Sequence, residues 1–82
     1  MRKSAVRTRS GGRDDVARRL GGRIRKLRVQ RGLTQADLAG EAFTPFAVSR
    51  IERGASLPSL DLLLHVSRKL GIRLRHVLPP DL

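Results

Sequence analysis

The stretch from Leu33 to Gly54 carries the side chains with the most useful chemistry. Ser49, Arg50 and Arg53 lie close together in it, and all three are hydrogen-bond donors. The guanidinium of Arg50 has forked N–H donors, which match the O6 and N7 acceptors of guanine in the major groove of DNA. The alternative role of such an arginine is a phosphate contact, which we assign to Arg53. We therefore expect these side chains to bind nucleic acid, with Arg50 as the principal base reader.

No comparable set of residues predicts an enzyme or a metal site. The chain has no cysteine, and its two histidines, His65 and His76, are eleven residues apart without a cluster of carboxylates. The sequence contains no nucleophile paired with a base and no glycine-rich phosphate loop. We expect no catalytic residue, no metal and no cofactor.

Two short helices must position the donors. Thr34 is a good cap for a helix over residues 35–41, and Thr44 followed by Pro45 is a good start for a second over residues 45–53. Only two residues lie between these helices. Because Pro45 lacks an N–H and forces Thr44 out of the helical region, the two helices cannot continue as one rod and must cross steeply. This arrangement predicts a helix-turn-helix, whose second helix lies in the major groove.

The second of these helices has distinct inner and outer faces. Val48 and Ile51 are its inward apolar pair, and Phe43 just before it is expected to be buried. Its outward residues are Pro45, Phe46, Ser49, Arg50 and Arg53. Because Phe46 and Pro45 are apolar, they can offer only a contact with a thymine methyl group or a sugar.

Three further helices complete an all-α fold of five helices. The first is expected from about Asp14 to Gln30, because carboxylates favour a helix start and Gly32 supplies a stop. Gly21 and Gly22 weaken its first half. Its apolar face follows at spacings of four, four and three residues, through Val16, Leu20, Ile24 and Leu27.

The fourth helix is expected over residues 60–70, with Ser59 as its cap. Leu62 then falls on the outside as a candidate contact, and His65 is interpreted as a surface residue. A last short helix is expected over residues 72–78, before a pair of prolines. The predicted core face of the fourth helix is Leu60, Leu63, Leu64, Ser67 and Leu70.

Four blocks of residues resemble the Cro and phage-repressor type of helix-turn-helix domain, the XRE family. The blocks are RIRKLR (residues 23–28), LTQADLA (residues 33–39), VSRIERG (residues 48–54), and PSL (residues 58–60) leading to LGI (residues 70–72). They occur in the family's order and at nearly its spacing, and together they cover residues 20–78. The resemblance implies a compact lambda-repressor-like fold.

The resemblance also implies roles for individual residues. The family uses a glutamine at the position of Gln35 to hold a phosphate and to brace the reading helix. Glu52 is implied to pair with Arg28 of the first helix, which keeps this acid away from DNA. The candidate DNA-binding residues are then Gln35, Thr44, Pro45, Phe46, Ser49, Arg50 and Arg53. The dimer surface is implied to involve the final helix, at Ile72, Leu74, His76, Val77 and Leu78.

The net charge of +11 is concentrated in the first part of the chain. Residues 1–31 carry twelve Lys or Arg against two Asp, a balance of +10, and residues 32–82 carry six against five, a balance of +1. Such a basic field attracts polyanions, nucleic acid among them. Residues 1–13 are expected to form a disordered basic arm, and residues 14–82 the helix-turn-helix domain. The arm either contacts DNA or serves as an inert solubilising tail, and composition leaves both roles open.

Two functions fit the whole sequence. The first is a sequence-specific transcriptional regulator, a repressor or autoregulator that binds double-stranded DNA as a homodimer, because one reading helix covers only a few base pairs. The alternative is an antitoxin or accessory subunit, whose main role is to bind a partner protein such as a toxin and which binds DNA for autoregulation. No apolar run is long enough to span a membrane and no signal peptide is present, so we expect a cytoplasmic, nucleoid-associated protein.

Overall fold

Five helices account for most of the computed structural model, which describes the backbone of residues 4–80 and the side chains of residues 12–80. They are α1 (Ser4–Gln30), α2 (Gln35–Ala39), α3 (Pro45–Glu52), α4 (Leu60–Leu70) and α5 (Leu74–Val77). No strand occurs within residues 4–80, and none of the helices there is long and apolar enough to cross a membrane. The predicted all-α fold is confirmed.

Helix α1 is the longest element and ends where the sequence predicts. Its last residue is Gln30, and Gly32 follows with a φ of 69°, a left-handed conformation that glycine adopts without strain. The helix begins at Ser4, so the start predicted near Asp14 is wrong.

The N-terminal arm lies only partly within the described region. No backbone is described for residues 1–3 and no side chains for residues 4–11. Of the disordered arm predicted over residues 1–13, residues 1–3 lie outside the described residues, and the backbone of residues 4–13 forms the first part of α1. Its separation from a domain over residues 14–82 stays a prediction.

The core lies where the five helices meet. Each helix contributes one large side chain that is at most 2% exposed, namely Ile24, Leu38, Val48, Val66 and Val77. The burial of Leu20, Ile24, Val48 and Ile51 confirms the predicted inner face of α3 and most of that of α1, whereas Val16 is half-buried and lies outside the core cluster. Leu27 and Phe43 are half-buried and pack against the same cluster. Burying such aliphatic side chains stabilises a fold by about 1.5–3 kcal/mol each.

The core face of α4 differs from the predicted one. Leu62 and Val66 are 5% and 2% exposed, and they pack into the core together with Leu70. Leu60 and Leu64, which the sequence assigns to the core, are 62% and 36% exposed. Leucines at positions 60, 62, 63 and 64 satisfy the helical period in either of two registers, and contacts with the other helices select between them. The prediction that Leu62 lies outside is therefore wrong.

His65 joins α4 to α2. Its Nε2 lies 2.8 Å from the carbonyl oxygen of Leu38, and because a carbonyl only accepts, Nε2 carries the donated proton. The ring centroid of His65 is 5.0 Å from that of Phe43. One of the carbonyl groups that the end of a short helix leaves unpaired is thereby satisfied, and the interpretation of His65 as a plain surface residue is wrong.

The two ends of α4 are capped as the sequence predicts. The hydroxyl of Ser59 accepts a hydrogen bond from the amide of Leu62 at 3.1 Å. Gly71 follows the helix with a φ of 72°, and the amide of Ile72 donates to the carbonyl of Ser67 at 3.0 Å. This left-handed cap turns the chain toward α5.

Helix α5 spans Leu74–Val77 and is shorter than the predicted helix over residues 72–78. Two arginines, Arg23 of α1 and Arg31 directly after α1, bind the ends of α5 and α4. Nε of Arg23 donates to the carbonyl of His76 at 2.9 Å, and Nε of Arg31 donates to the carbonyl of Leu70 at 2.8 Å. Cations thus satisfy carbonyl groups at the C-terminal ends of α5 and α4, where the helix dipole also favours positive charge.

Candidate nucleic-acid interface

Helix α2 begins with a complete capping box. The hydroxyl of Thr34 accepts a hydrogen bond from the amide of Asp37 at 2.9 Å, and the carboxylate of Asp37 accepts one from the amide of Thr34 at 2.8 Å. The hydrogen bonds with Thr34, that from its backbone first, hold the pKa of Asp37 below its usual value. Because the folded-state pKa is the lower one, this contribution to stability is present above the usual carboxylate pKa and is lost as the pH falls through the folded value.

The turn between α2 and α3 is fixed by a glycine and a capping threonine. Helix α2 ends at Ala39, earlier than predicted, because Gly40 has a φ of 60° and a ψ of −149°, outside the helical region. The hydroxyl of Thr44 accepts a hydrogen bond from the amide of Ala47 at 3.0 Å, and Pro45 occupies the first helical position. Helix α3 therefore starts in a defined direction relative to α2.

A buried ion pair ties α3 to α1 and α2. The guanidinium of Arg28 donates through Nε to one carboxylate oxygen of Glu52 at 2.6 Å and through Nη2 to the other at 2.9 Å. The side-chain amide of Gln35 donates to the same carboxylate at 3.1 Å. The side chain of Glu52 is 1% exposed and that of Arg28 is 12% exposed. Arg28, Glu52 and Gln35 thus form the bracing arrangement that the family resemblance implies.

The buried polar groups of this network are paired. Arg28 also donates to the carbonyl of Leu33 at 2.8 Å, and its hydrogen bonds to Glu52 raise its pKa above the usual value. Within residues 12–80, no buried side-chain nitrogen or oxygen lacks a hydrogen-bond partner. Two-pronged pairs of this kind are shorter and stronger than neutral hydrogen bonds, and they fix orientation. The network therefore holds the inner side of α3 at a fixed distance and angle from α1.

Helix α1 passes very close to the C-terminal end of α3 at two glycines. A Cβ atom at Gly21 would lie 2.0 Å from the carbonyl oxygen of Ile51, and one at Gly54 would lie 2.9 Å from the Cα atom of Arg18. These neighbours are backbone atoms, which move only if a helix moves, so glycine is required at both positions. From the sequence alone, Gly21 is expected only to weaken the helix, and no local signal distinguishes it from Gly22.

The outer face of α3 carries an arginine held beside an aromatic ring. Phe46 is 67% exposed, and the guanidinium carbon of Arg50 lies 5.9 Å from its ring centroid. This distance is within the range of a cation–π contact. Arg53 is exposed, and its Nε donates to the carbonyl of Ser49 at 3.3 Å. We use the name α3 outer face for Thr44, Pro45, Phe46, Ser49, Arg50 and Arg53.

Six of the seven candidate DNA-binding residues belong to the α3 outer face. At 100° per residue, the four on the helix itself, Pro45, Phe46, Ser49 and Arg50, span an arc of about 140°, and Arg53 is the residue that follows the helix. Thr44 and Pro45 are exposed and Ser49 is half-buried. Gln35 is the exception, since it lies on α2 and turns one N–H of its amide toward Glu52.

The cations of α1, together with Arg31 directly after it, include a structural group and an exposed group. Arg23, Arg28 and Arg31 bind carbonyl or carboxylate groups of other elements, which the sequence pattern does not reveal. Arg18 is exposed and lies next to Gly54, so positive charge continues past the end of α3. Its contact with Asp15, at 3.3 Å, is a surface pair of little energetic weight. The exposed cations of α1 with described side chains are Arg13, Arg18, Arg25 and Lys26.

A model of a known protein family matches the part of the chain that contains these helices. The helix-turn-helix family model matches residues 24–77, from the second half of α1 to the end of α5. No curated protein sequence is significantly similar to the chain.

Three solved structures share the fold. PlcR from Bacillus thuringiensis, solved in complex with the peptide PapR7 and DNA, superposes with a TM-score of 0.71 at 46% identity, covering 74% of this chain and 22% of PlcR. ClgR, the clp gene regulator from C. glutamicum, superposes with a TM-score of 0.70 at 32% identity, covering 76% of this chain and 82% of ClgR. ComR from Streptococcus suis gives a TM-score of 0.73 at 26% identity, covering 80% of this chain and 22% of ComR. The chain thus corresponds to 22% of the length of PlcR and of ComR, and to most of ClgR.

Proposed function

Because the chain belongs to the helix-turn-helix family of the Cro and XRE type, a family of DNA-binding regulators, we propose that it recognises a specific sequence of double-stranded DNA as a homodimer. Its role is that of a transcriptional repressor or autoregulator. The observation that supports this proposal is the α3 outer face, whose residues are exposed or half-exposed on a helix that Arg28, Glu52 and Gln35 brace from behind. A rigid helix with exposed donors is what base recognition in the major groove requires.

Arg50 is the principal base reader in this proposal. Its contact with the Phe46 ring restricts a long side chain that otherwise loses much rotamer freedom on binding. The forked guanidinium then presents two donors in one plane, which suits O6 and N7 of a guanine. Phe46 is the largest exposed apolar side chain nearby and supplies contact with the methyl group of an adjacent thymine.

Phosphate contacts fix the position of α3 in the groove. Arg53 is exposed at the C-terminal end of the helix, and the hydroxyls of Thr44 and Ser49 lie on the same face. A primary amide has two N–H donors, so Gln35 has one left for a phosphate after its hydrogen bond to Glu52. Contacts of this kind set register and orientation without reading sequence.

A homodimer is proposed because one α3 covers too few base pairs for useful selectivity. Two copies on half-sites one helical turn apart, about 34–36 Å, double the number of bases read. The exposed α1 cations and the basic residues before them add a field that attracts DNA from a distance.

Selection of bound fragments from random DNA tests this function. The full chain should enrich a palindromic consensus with half-sites about 10–10.5 base pairs apart and with a guanine in each half-site. The matched selection uses the Arg50→Ala chain, which should lose preference at that guanine and keep the spacing. Retention of DNA without any enriched sequence would show that the chain binds DNA only non-specifically.

A further inference from the structure

The outer side of α4 carries an apolar patch that the other residues of the described range 12–80 leave exposed. Leu60 and Leu64 are exposed, and Leu57 just before the helix is 40% exposed. Because Leu60 and Leu64 are four residues apart, they lie side by side, away from Leu62 and Val66 in the core. We use the name α4 leucine patch for Leu57, Leu60 and Leu64.

Opposite charges flank the α4 leucine patch. Asp61 lies three residues before Leu64 and Arg68 lies four residues after it, so all three share one side of the helix. Both charged side chains are exposed, and within residues 12–80 neither forms an ion pair or a side-chain hydrogen bond. At a rise of 1.5 Å per residue, the two charges are about 10 Å apart along the axis.

We propose that a second copy of the chain covers the α4 leucine patch, with the two α4 helices antiparallel about a two-fold axis near Leu64. That arrangement places Asp61 of each copy opposite Arg68 of the partner subunit, so two identical ion pairs form. Leu64 meets its symmetry equivalent at the axis. Leu60 packs against the aliphatic stem of Arg68 of the partner subunit.

Residues 72–78 offer a partner less exposed apolar surface than the α4 leucine patch does. Of the residues that the family resemblance implies for dimerisation, Val77 is fully buried, and Ile72 and Leu78 pack against the core of their own chain. Arg73 and Arg75 are exposed there, and like charges repel across a two-fold axis. The α4 leucine patch instead has a balanced pair of charges.

The charge distribution of the chain and the small area of the α4 leucine patch indicate a weak contact. The positive charge of the chain lies mainly in residues 1–31, with +10 against +1 in residues 32–82, so two copies that meet through α4 approach by their least charged part. A patch of three leucines gives an interface smaller than the ~1,200 Å² of stable complexes. The free dimer is therefore weak, and two adjacent half-sites on DNA strengthen it by raising the local concentration. This last step rests on the proposed function.

Charge reversal in the full chain without DNA tests the arrangement. Asp61→Arg and Arg68→Asp, each alone, put like charges opposite each other in both symmetric pairs. Sedimentation equilibrium should show self-association weakened about tenfold in each variant, since close like charges across an interface oppose binding. An equimolar mixture of the two variants should recover the wild-type affinity, because each reversed charge then faces its opposite. A mixture no stronger than the single variants would overturn the antiparallel pairing.

Replacing an apolar residue by glutamate, inside and outside the patch, tests whether the patch itself forms the contact. Leu64→Glu should weaken self-association about tenfold or more, because Leu64 meets its symmetry equivalent at the axis and the substitution places two carboxylates against each other. Val29→Glu is the matched control, since Val29 is 54% exposed on α1 and lies outside the patch. Circular dichroism should show equal helix content and cooperative melting for both. Equal self-association of the two variants would assign the contact to another surface.

DNA with one or two half-sites from the selected consensus gives a second readout. The charge variants should keep wild-type affinity for one half-site and lose the cooperative binding of two. A wild-type chain that is monomeric without DNA and binds two half-sites without cooperativity would overturn the proposal. A chain that binds no DNA would instead refute the proposed function, while the measurements without DNA would still decide the α4 contact.

Discussion

Arg50 and Arg53 lie three residues apart on α3, and their surroundings differ. Arg50 is half-buried with its guanidinium beside the Phe46 ring, whereas Arg53 is exposed near the end of the helix. We predict that Arg50→Ala costs about 1–3 kcal/mol of binding free energy on the cognate site and little on random DNA. Arg53→Ala should weaken binding to both kinds of DNA alike, because a phosphate contact carries no sequence information.

Fluorescence anisotropy with cognate and random duplexes at one salt concentration measures both effects. Arg50→Lys is the informative control, since it keeps the charge and removes the forked geometry. Its loss on the cognate site should be close to that of Arg50→Ala. Equal losses of Arg50→Ala on the two duplexes would make Arg50 a phosphate contact and leave Phe46 as the source of specificity.

The junction of α1, α2 and α3 depends on the buried carboxylate of Glu52. We predict that Glu52→Ala lowers the free energy of unfolding by about 3–5 kcal/mol, because it leaves the guanidinium of Arg28 buried and unpaired. Glu41→Ala is the matched control, since Glu41 is exposed and a surface change of this kind is worth less than about 0.5 kcal/mol. Urea unfolding followed by circular dichroism compares them. Similar midpoints for the two variants would show that the pair contributes little.

The crossing of α1 over α3 provides an element-scale test with two neighbouring glycines. An alanine Cβ at Gly21 would lie 2.0 Å from the carbonyl oxygen of Ile51, whereas one at Gly22 would meet nothing within 4 Å. We predict that Gly21→Ala destabilises the fold by about 1–3 kcal/mol, as overpacking does. Gly22→Ala should stabilise it by up to about 1 kcal/mol, because alanine favours a helix interior. Stabilisation by both substitutions, measured by thermal unfolding, would mean that α1 does not approach α3 so closely.

At the scale of the whole molecule, the features that the sequence predicts well are those determined by neighbouring residues. Thr34, Thr44 and Ser59 cap the helices they were expected to cap, because a cap needs only a hydroxyl and amides two or three residues ahead. The left-handed Gly32 and Gly71 end helices for an equally local reason. Of the interface, the α3 residues follow from this local pattern, and the pairing of Arg28 with Glu52 was available only from the family resemblance.

Features that depend on distant parts of the chain could not be predicted. The register of α4 is ambiguous in the sequence, and only packing shows that Leu62 rather than Leu60 faces the core. His65 binds the carbonyl of Leu38, 27 positions away, and Gly21 is needed because Ile51 passes beside it. None of these interactions leaves a periodic signal, since each joins one residue to an element far along the chain.

The charge of the whole chain predicts a strong dependence of DNA binding on salt. Each phosphate neutralised in duplex DNA contributes roughly −0.9 to the slope of log K against log salt, so a dimer that neutralises about eight phosphates should give a slope near −7. Residues 1–13 contain five Lys or Arg. If these cations touch DNA, replacing all five by glutamine should make the slope less negative by about 0.9 for each phosphate that is no longer neutralised, while the preferred sequence stays the same. Titrations at several salt concentrations, with thermal unfolding as a check of the fold, measure the slope. An unchanged slope would show that the basic residues 1–13 neutralise no phosphate and would place all phosphate binding after residue 13.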